Sequence, residues 1–254
     1  MQILLASAKI MHDVLNTAPD MALSAPRFAH EAEAFARDMA QYSTETIAEL
    51  LGRSQQIAGQ NKLRFMRFFE ETKKMPAILA YHGQAYKHLK AETLTEKDLN
   101  YAQEHLLITS FLYGLLRPLD GIRPYRMEGA VELPSGKGQN MFGFWKSRLT
   151  DVLIESVKAD DGILVHLATE EFQHLFEWKR VCERVRVVQP LFYVRKGQEL
   201  KMQAVWAKTC RGAMTRFVIE NRVQNPEGLK DFAYEGFCYN PHLGEADYPH
   251  FVKE

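Results

Sequence analysis

Apolar residues recur along this chain in two patterns, short continuous runs and longer stretches at helical spacing. Ile3-Leu4-Leu5 is of the first kind and predicts a buried first strand ending at Ser7-Ala8-Lys9. From Arg27 to Gln41, Phe28, Ala32, Phe35 and Met39 fall at helical spacing and define one apolar face. Two helical pieces flank Gly52. Ser43 can cap the first, which turns Ile47, Leu50 and Leu51 to the core, and Ser54 the second, through Ile57, Phe65 and Phe68. Ala77 to Tyr81 predicts a strand. Thr95 and Asp98 form a capping-box pattern for a helix to about Leu106. Phe142 to Val157 predicts a helix burying Phe144, Trp145, Leu149, Val152 and Leu153, followed by the strand Ile163-Leu164-Val165. Thr169 then stands at a helix N-cap position, with Glu170 and Glu171 in the first turn. Leu191 to Val194, a turn at Gly197, and Leu200, Met202, Ala204 and Trp206 in alternation predict a hairpin. Short strands alternate with helices, with no internal repeat and no low-complexity linker, so the expected class is α/β: one mixed domain over 1–254.

Composition changes this picture little. The 254 residues are 46% apolar and 25% charged, ordinary for a globular protein, and the net charge is zero. The charge is unevenly spread: Lys201, Lys208, Arg211, Arg216 and Arg222 face only Glu220, and acids dominate from Glu227 onward. A local basic patch on a neutral protein is therefore possible. Cys182, Cys210 and Cys238 are far apart and predict reduced thiols rather than a disulfide frame or a zinc site. Ile3-Leu4-Leu5 is too short for a signal-peptide core, and no apolar run approaches the roughly 20 residues of a membrane span. The expected location is the cytoplasm, with no membrane partner.

Candidate chemistry concentrates in cationic stretches. In LYGLLRPLDGIRPYRME, Leu112 to Glu128, Arg117 and Arg123 each precede a proline, and Arg126 follows Tyr125. Proline disfavours helix at the residue before it, so the segment is predicted to be a stiff extended loop presenting three arginines. Arginine suits anion recognition because its planar fork grips phosphate or carboxylate with two bonds. The alternative is that these arginines brace the fold against Asp120, Glu128 and other acids. In the helix from Lys208 to Arg222, Arg211, Thr215 and Arg222 fall opposite Ala213, Met214, Phe217 and Val218, and Lys208 joins them if the helix starts early. Cations at a helix N-terminus oppose the macrodipole, a conflict that an incoming anion would relieve. Arg53 lies on the turn between the helices at Ser43 to Phe68, and Lys62 and Arg64 follow. Such a turn can hold a phosphate through its amides, or the pair can be a plain packing hairpin. Ser135-Gly136-Lys137-Gly138 lacks the rest of a phosphate loop, His166 and His174 lack metalloprotease spacing, and neither a cofactor nor a metal is called for.

LYGLLRPLDGIRPYRME, the Phe144-Trp145 helix, LATEEF at Leu167 to Phe172, and AKTCRGAMTRFVIENR at Ala207 to Arg222 together resemble the YaaA family, linked to peroxide stress, along nearly the whole chain. The resemblance implies a single mixed domain with a helix-hairpin-helix element, here at 43–68, and a positively charged cleft. It also implies binding of DNA, duplex or branched and largely independent of sequence, with protection from peroxide and iron damage. Two places depart from the family pattern: Ala6-Ser7-Ala8-Lys9 replaces Ser-Pro-Ala-Lys, and His82-Gly83-Gln84 replaces Lys-Gly-Asp. The nucleic-acid-binding set expected is Lys9, Arg53, Lys62, Arg64, Arg117, Arg123, Arg126, Lys208, Arg211, Arg216 and Arg222, with Tyr113, Tyr125 or Phe142 able to stack on bases. Lys9, Arg117, Arg126, Lys208, Arg211 and Arg222 are expected to converge on one cleft. The alternative function is an enzyme acting on a nucleic acid or nucleotide, with Glu171 or Glu170 as general acid or base.

Overall fold

In a computed structural model that describes residues 1–13, 22–70 and 74–254, the chain opens with strand β1 (Gln2–Ala6). A helical stretch follows: α1 (Ala29–Gln41), α2 (Thr44–Leu51) and α3 (Gln55–Met66). Ser43 and Ser54 accept backbone N–H bonds at the starts of α2 and α3, and Gly52 ends α2 in the left-handed conformation at φ 59°. Next come β2 (Met75–Pro76), α4 (Ala77–Ala80), α5 (Gln84–Leu89) and α6 (Glu96–His105), the last opened by the Thr95–Asp98 capping box. The strands β3 (Leu106–Ser110), β4 (Gly114–Leu116) and β5 (Gly121–Ile122) lead to the long helix α7 (Met141–Ala159). Then follow β6 (Ile163–Leu167), α8 (Glu170–Gln173), α9 (Trp178–Arg184), β7 (Arg186–Val188), β8 (Leu191–Lys196) and β9 (Glu199–Lys201). Helix α10 (Ala204–Asn221) and the strands β10 (Ala233–Tyr234), β11 (Phe237–Glu245) and β12 (Tyr248–Lys253) complete the chain. The result is a single mixed α/β domain.

The central sheet has the order β4-β3-β1-β6-β7, with β3, β1, β6 and β7 parallel and β4 antiparallel at one edge. Its inner strands β1, β3 and β6 are buried along almost their whole length because both faces are covered, as parallel sheets require. A second sheet, β10-β11-β12-β8-β9, pairs β12 parallel to β8 and is otherwise antiparallel, and β2 and β5 form a small third sheet. Trp145 is the largest fully buried side chain. Its indole N–H donates to Phe111 O at 2.8 Å, and its ring packs edge-on to Phe28 and Phe144.

Helix α10 packs along α5 and touches both β1 and β8. Two glycines set that geometry. A Cβ on Gly212 would lie 1.8 Å from the Ala85 carbonyl oxygen, so α5 and α10 meet backbone to backbone. A Cβ on Gly83 would lie 2.6 Å from Ala8 Cβ, which ties the start of α5 to the segment leaving β1.

Three predicted elements come out differently. Ala77 to Tyr81 holds the short helix α4 instead of a strand: a brief apolar run has no distinguishing period, and these amides bond outward, Ala77 to Asp120 O and Ile78 to Pro118 O. The strand expected through Trp206 stops at Lys201, and α10 begins at Ala204; Met202 and Ala204 are exposed, so their alternation did not record burial. Lys208 and Arg211 consequently sit in the second and third turns of α10, beyond the first-turn amides, and the expected conflict with the macrodipole is weaker than the sequence suggested. The 112–128 segment has no regular secondary structure from Arg123 to Glu128 but contains β4 and β5 before that.

Candidate nucleic-acid interface

After β1 the chain crosses to β3 on one side, and later returns to β6 on the other side of β1. Adjacent parallel strands whose connections leave in opposite directions open a crevice beyond their carboxyl ends, the usual ligand position in such sheets. A pocket of about 260 Å³ occupies that position here. Its floor is apolar and buried: Leu5 from β1, Phe111 after β3, Leu167 from β6, with Tyr125 and Phe172. Lys9, Arg126, Lys208, Arg211 and Glu171 also line it and are more exposed, so the charged groups form its rim.

Lys9 reaches the rim because β1 ends just before it. Its Nζ donates to Glu128 Oε2 at 2.7 Å. Arg126 donates to Glu128 Oε1 from Nε and Nη2 at 3.2 and 3.0 Å, and Arg53, on the α2–α3 turn, reaches the same oxygen at 3.3 Å. Burial alone would raise the Glu128 pKa, but hydrogen bonds and charge from Lys9 and Arg126 outweigh it and hold the carboxyl below its ordinary value. Asn61 fixes the backbone here, its Oδ1 accepting from Arg126 N and its Nδ2 donating to Arg126 O. Tyr125 beneath is locked by hydroxyl contacts to Tyr81 at 2.9 Å and Ser110 at 2.6 Å. Burial pushes the Tyr125 phenol up to about 12 despite these bonds, so it stays neutral.

Lys208 and Arg211 stand three residues apart on α10 and therefore share a face. Among the described residues neither makes an ion pair or a side-chain hydrogen bond. Arg211 is half-buried; burial lowers its pKa, and the charge of Glu170 acts the other way. Behind it His166 is 1% exposed, and burial, then the Arg211 charge, pushes its imidazole down to about 3. It is therefore neutral, and neither ring nitrogen has a hydrogen-bond partner. Thr169 lines the pocket and its Oγ1 is also buried without a partner: Thr169 occupies the N-cap of α8, yet its hydroxyl caps nothing.

The expected convergence holds for Lys9, Arg126, Lys208 and Arg211 and not for Arg117 or Arg222. Because β4 runs antiparallel to β3, it carries Arg117 back to the amino end of the sheet. There its guanidinium donates to Gln2 Oε1, Glu104 O and Ser156 Oγ. Arg222 shares the helical face of Arg211 but lies about 16 Å further along the axis, at 1.5 Å per residue. It ends α10, ion-paired with Asp98 at 2.8 Å and stacked over Tyr101. Arg216 donates to the carbonyls of Leu89 and Lys90, where α5 ends, and pairs with Glu220. Lys62 donates to Ala40 O at the end of α1, Arg64 pairs with Asp13, and Arg123 bonds Glu70 O. Tyr113 and Tyr125 are core residues rather than stacking platforms; only Phe142 of the three is partly exposed. Glu170 and Glu171 are both exposed, Glu171 on the pocket rim.

Sequence reasoning missed Thr169 and Glu128 as parts of this site. Nothing in the chain flagged Thr169, since its N-cap position gave its hydroxyl an apparent use. The sequence offers Glu128 only as a possible brace for the arginines. Among the described residues no group of three or more His, Cys, Asp or Glu side chains is placed to hold a metal ion, and no helix is long and apolar enough to cross a membrane.

The chain is 48% identical over 230 residues to a UPF0246 protein of Phocaeicola vulgatus, covering 90% of this chain and 89% of that one. It is 40% identical over 256 residues to a UPF0246 protein of Porphyromonas gingivalis, with full coverage of both. A UPF0246 protein of Hahella chejuensis is 34% identical over 250 residues, 97% of this chain and 96% of that one. Residues 1–243 match the profile of the family described as Peroxide stress protein YaaA. On that match and on these identities over nearly whole chains, the protein belongs to the YaaA family of peroxide stress proteins.

Proposed function

We propose that the protein acts in the peroxide stress response by binding DNA through its phosphates and shielding it from oxidative damage. The observation that carries this is the meeting of four cations from three distant segments, Lys9, Arg126, Lys208 and Arg211, at one pocket on the carboxyl edge of the parallel sheet. Two of them, Lys208 and Arg211, make no ion pair among the described residues, and Arg211 is half-buried, which favours an arriving anion. Arg53 extends the same surface onto the α2–α3 turn, because it shares Glu128 with Lys9 and Arg126. A duplex is too wide for a 260 Å³ pocket, so its backbone would lie across the rim, a mode that reads no sequence.

The test is the salt dependence of duplex binding, followed by fluorescence anisotropy. With about 0.9 counterion released per phosphate neutralised, four contacts give a log–log slope of roughly −3 to −4. Lys208→Ala with Arg211→Ala should flatten it by about two units, equally for unrelated sequences. An unchanged slope in the double variant would refute the assignment. A second reading, an enzyme acting on a nucleic acid or nucleotide, rests on Glu171 lining the same pocket. It requires a cleaved or altered product on incubation, lost in Glu171→Gln.

A further inference from the structure

The rim explains phosphate binding but leaves the floor without a role. A site for phosphate alone needs donors and charge. This pocket instead continues inward onto Leu5, Phe111, Leu167 and Phe172, all buried apolar side chains. At about 260 Å³ it falls just below the roughly 300–1,000 Å³ of sites for drug-sized molecules, and it is too small for two stacked nucleotides. An apolar recess behind an anion-holding rim suits a flat ring carried by a phosphate. Thr169 supplies the second observation. Thr169 lines the pocket, and its hydroxyl is buried and bonds to nothing, whereas buried polar groups in native proteins are nearly always paired. A turn about its χ1 bond would bring it to a ligand bearing ring or phosphate oxygens and nitrogens, which would satisfy it.

We propose that this pocket holds a single nucleoside 5′-monophosphate unit, with the phosphate between Lys208 and Arg211, the ring over the apolar floor and the Thr169 hydroxyl bonded to it. The inference rests on the DNA-binding reading above and adds to it a subsite for one unstacked nucleotide. Such a unit can come from two sources, a free nucleotide or an unpaired residue of a strand. A nucleotide that is already unpaired enters at the lowest cost, because no base pair has to be broken.

Isothermal titration calorimetry on the full chain separates the possibilities, using dAMP, dCMP, dGMP, dTMP, deoxyribose 5-phosphate and inorganic phosphate as probes. At least one nucleotide should bind at a single site, roughly tenfold or more tighter than deoxyribose 5-phosphate, since burial and stacking of a base contribute that much or more. Thr169→Val keeps the shape and removes the hydroxyl. It should weaken the nucleotide about tenfold without lowering the melting temperature, because no folded-state bond is lost and a buried unpaired hydroxyl is removed. Thr169→Phe fills the recess and should abolish nucleotide binding; if that variant fails to fold, the valine variant carries the test. An oligonucleotide duplex with one bulged 2-aminopurine should bind more tightly than the fully paired duplex, with a fluorescence change on entry, if the strand is the source. Equal affinity for the two duplexes together with dNMP binding would identify the free nucleotide. Wild-type protein that binds paired duplex but distinguishes neither nucleotides from sugar phosphate nor the bulged duplex would overturn this inference and leave the DNA-binding reading standing. Wild-type protein that binds nucleotides but no duplex would do the reverse.

Discussion

Replacing Gly212 by alanine isolates the contact on which the α10 wall of the pocket depends. A methyl group there would sit 1.8 Å from the Ala85 carbonyl oxygen, against 3.4 Å for an ordinary contact, so α5 and α10 must part by about 1.6 Å. The obstacle is backbone, so no side-chain rotation relieves it. Overpacking of this kind costs about 1–3 kcal/mol, and parting two helices that pack along their length adds lost contact. Alanine's better helix propensity returns up to about 1 kcal/mol. The net expectation is about 2–3 kcal/mol, which for a chain of this size lowers Tm by roughly 4–12 °C. Gly59 in α3 is the matched control. A methyl there meets Thr44 Cγ2 at an ordinary 3.7 Å, so Gly59→Ala should raise Tm by about 1–4 °C. Thermal melts of both variants by circular dichroism, with duplex affinity measured on each, give the answer. Gly212→Ala should also weaken binding, because it carries Lys208 and Arg211 away from the wall formed by Gly83 to Tyr86. A Gly212→Ala protein melting within about 1 °C of wild type would show that the helices adapt and that the close approach does not set the pocket's width.

Arg117→Met should lower Tm by roughly 4–12 °C, since three hydrogen bonds to a half-buried guanidinium are lost, with Gln2, Glu104 and Ser156 left behind; its salt slope for duplex DNA should match wild type. Glu128 has a folded pKa held below its ordinary 4.5, so its contribution to stability is complete above that value and disappears as pH falls through the depressed one. Urea titrations between about pH 3 and pH 6 should show wild type losing stability at the acid end more steeply than Glu128→Gln. Cys182 and Cys238 are exposed, whereas burial pushes the Cys210 thiol up to about 12. Ellman's reagent should therefore label two thiols in the native protein and the third only on unfolding.

The elements that the sequence made legible are those with a local cause. Ser43, Ser54 and the Thr95–Asp98 pair cap their helices because a short side chain next to free amides acts within one turn, whatever the remainder of the chain does. The apolar runs at Ile3 and Ile163 became central strands because only burial on both faces suits them. Ala77 to Tyr81 was ambiguous for the same reason: a run of five apolar residues carries no period, and the amides of α4 were claimed by carbonyls some 40 residues away. The site was legible in residue type but not in position. Helical projection placed Arg211 and Arg222 on one face correctly, yet projection discards the rise along the axis. Likewise the reversal from β3 into β4, which removes Arg117 from the site, depends on strand direction, and no local pattern encodes that.

What separates the pocket cations from the other basic residues is the partner each finds. Arg117, Arg216 and Arg222 end on carbonyls or on single acids close at hand, with their charge matched inside the fold. Elsewhere on the surface acids and bases cancel in one-to-one pairs, Asp247 with Arg186, Glu254 with Arg195 and Glu227 with Lys230. The residues that line the pocket do not cancel in this way, since Lys9, Arg126, Lys208 and Arg211 stand against Glu171 alone. One carboxylate, Glu128, holds Lys9, Arg53 and Arg126 together and leaves that cluster net positive. Cations fixed in place before an anion arrives lose little conformational freedom on binding, so more of the interaction appears as affinity. Glu128→Gln should consequently have two opposed effects on duplex binding. Removing a negative charge strengthens attraction, and loosening Lys9 and Arg53 adds an ordering cost. Salt separates them, because screening weakens the attraction and leaves the ordering cost untouched. Relative to wild type, the variant should bind more tightly at low ionic strength and lose that advantage as salt rises. An advantage that persists at high salt would mean that Glu128 does not order the rim.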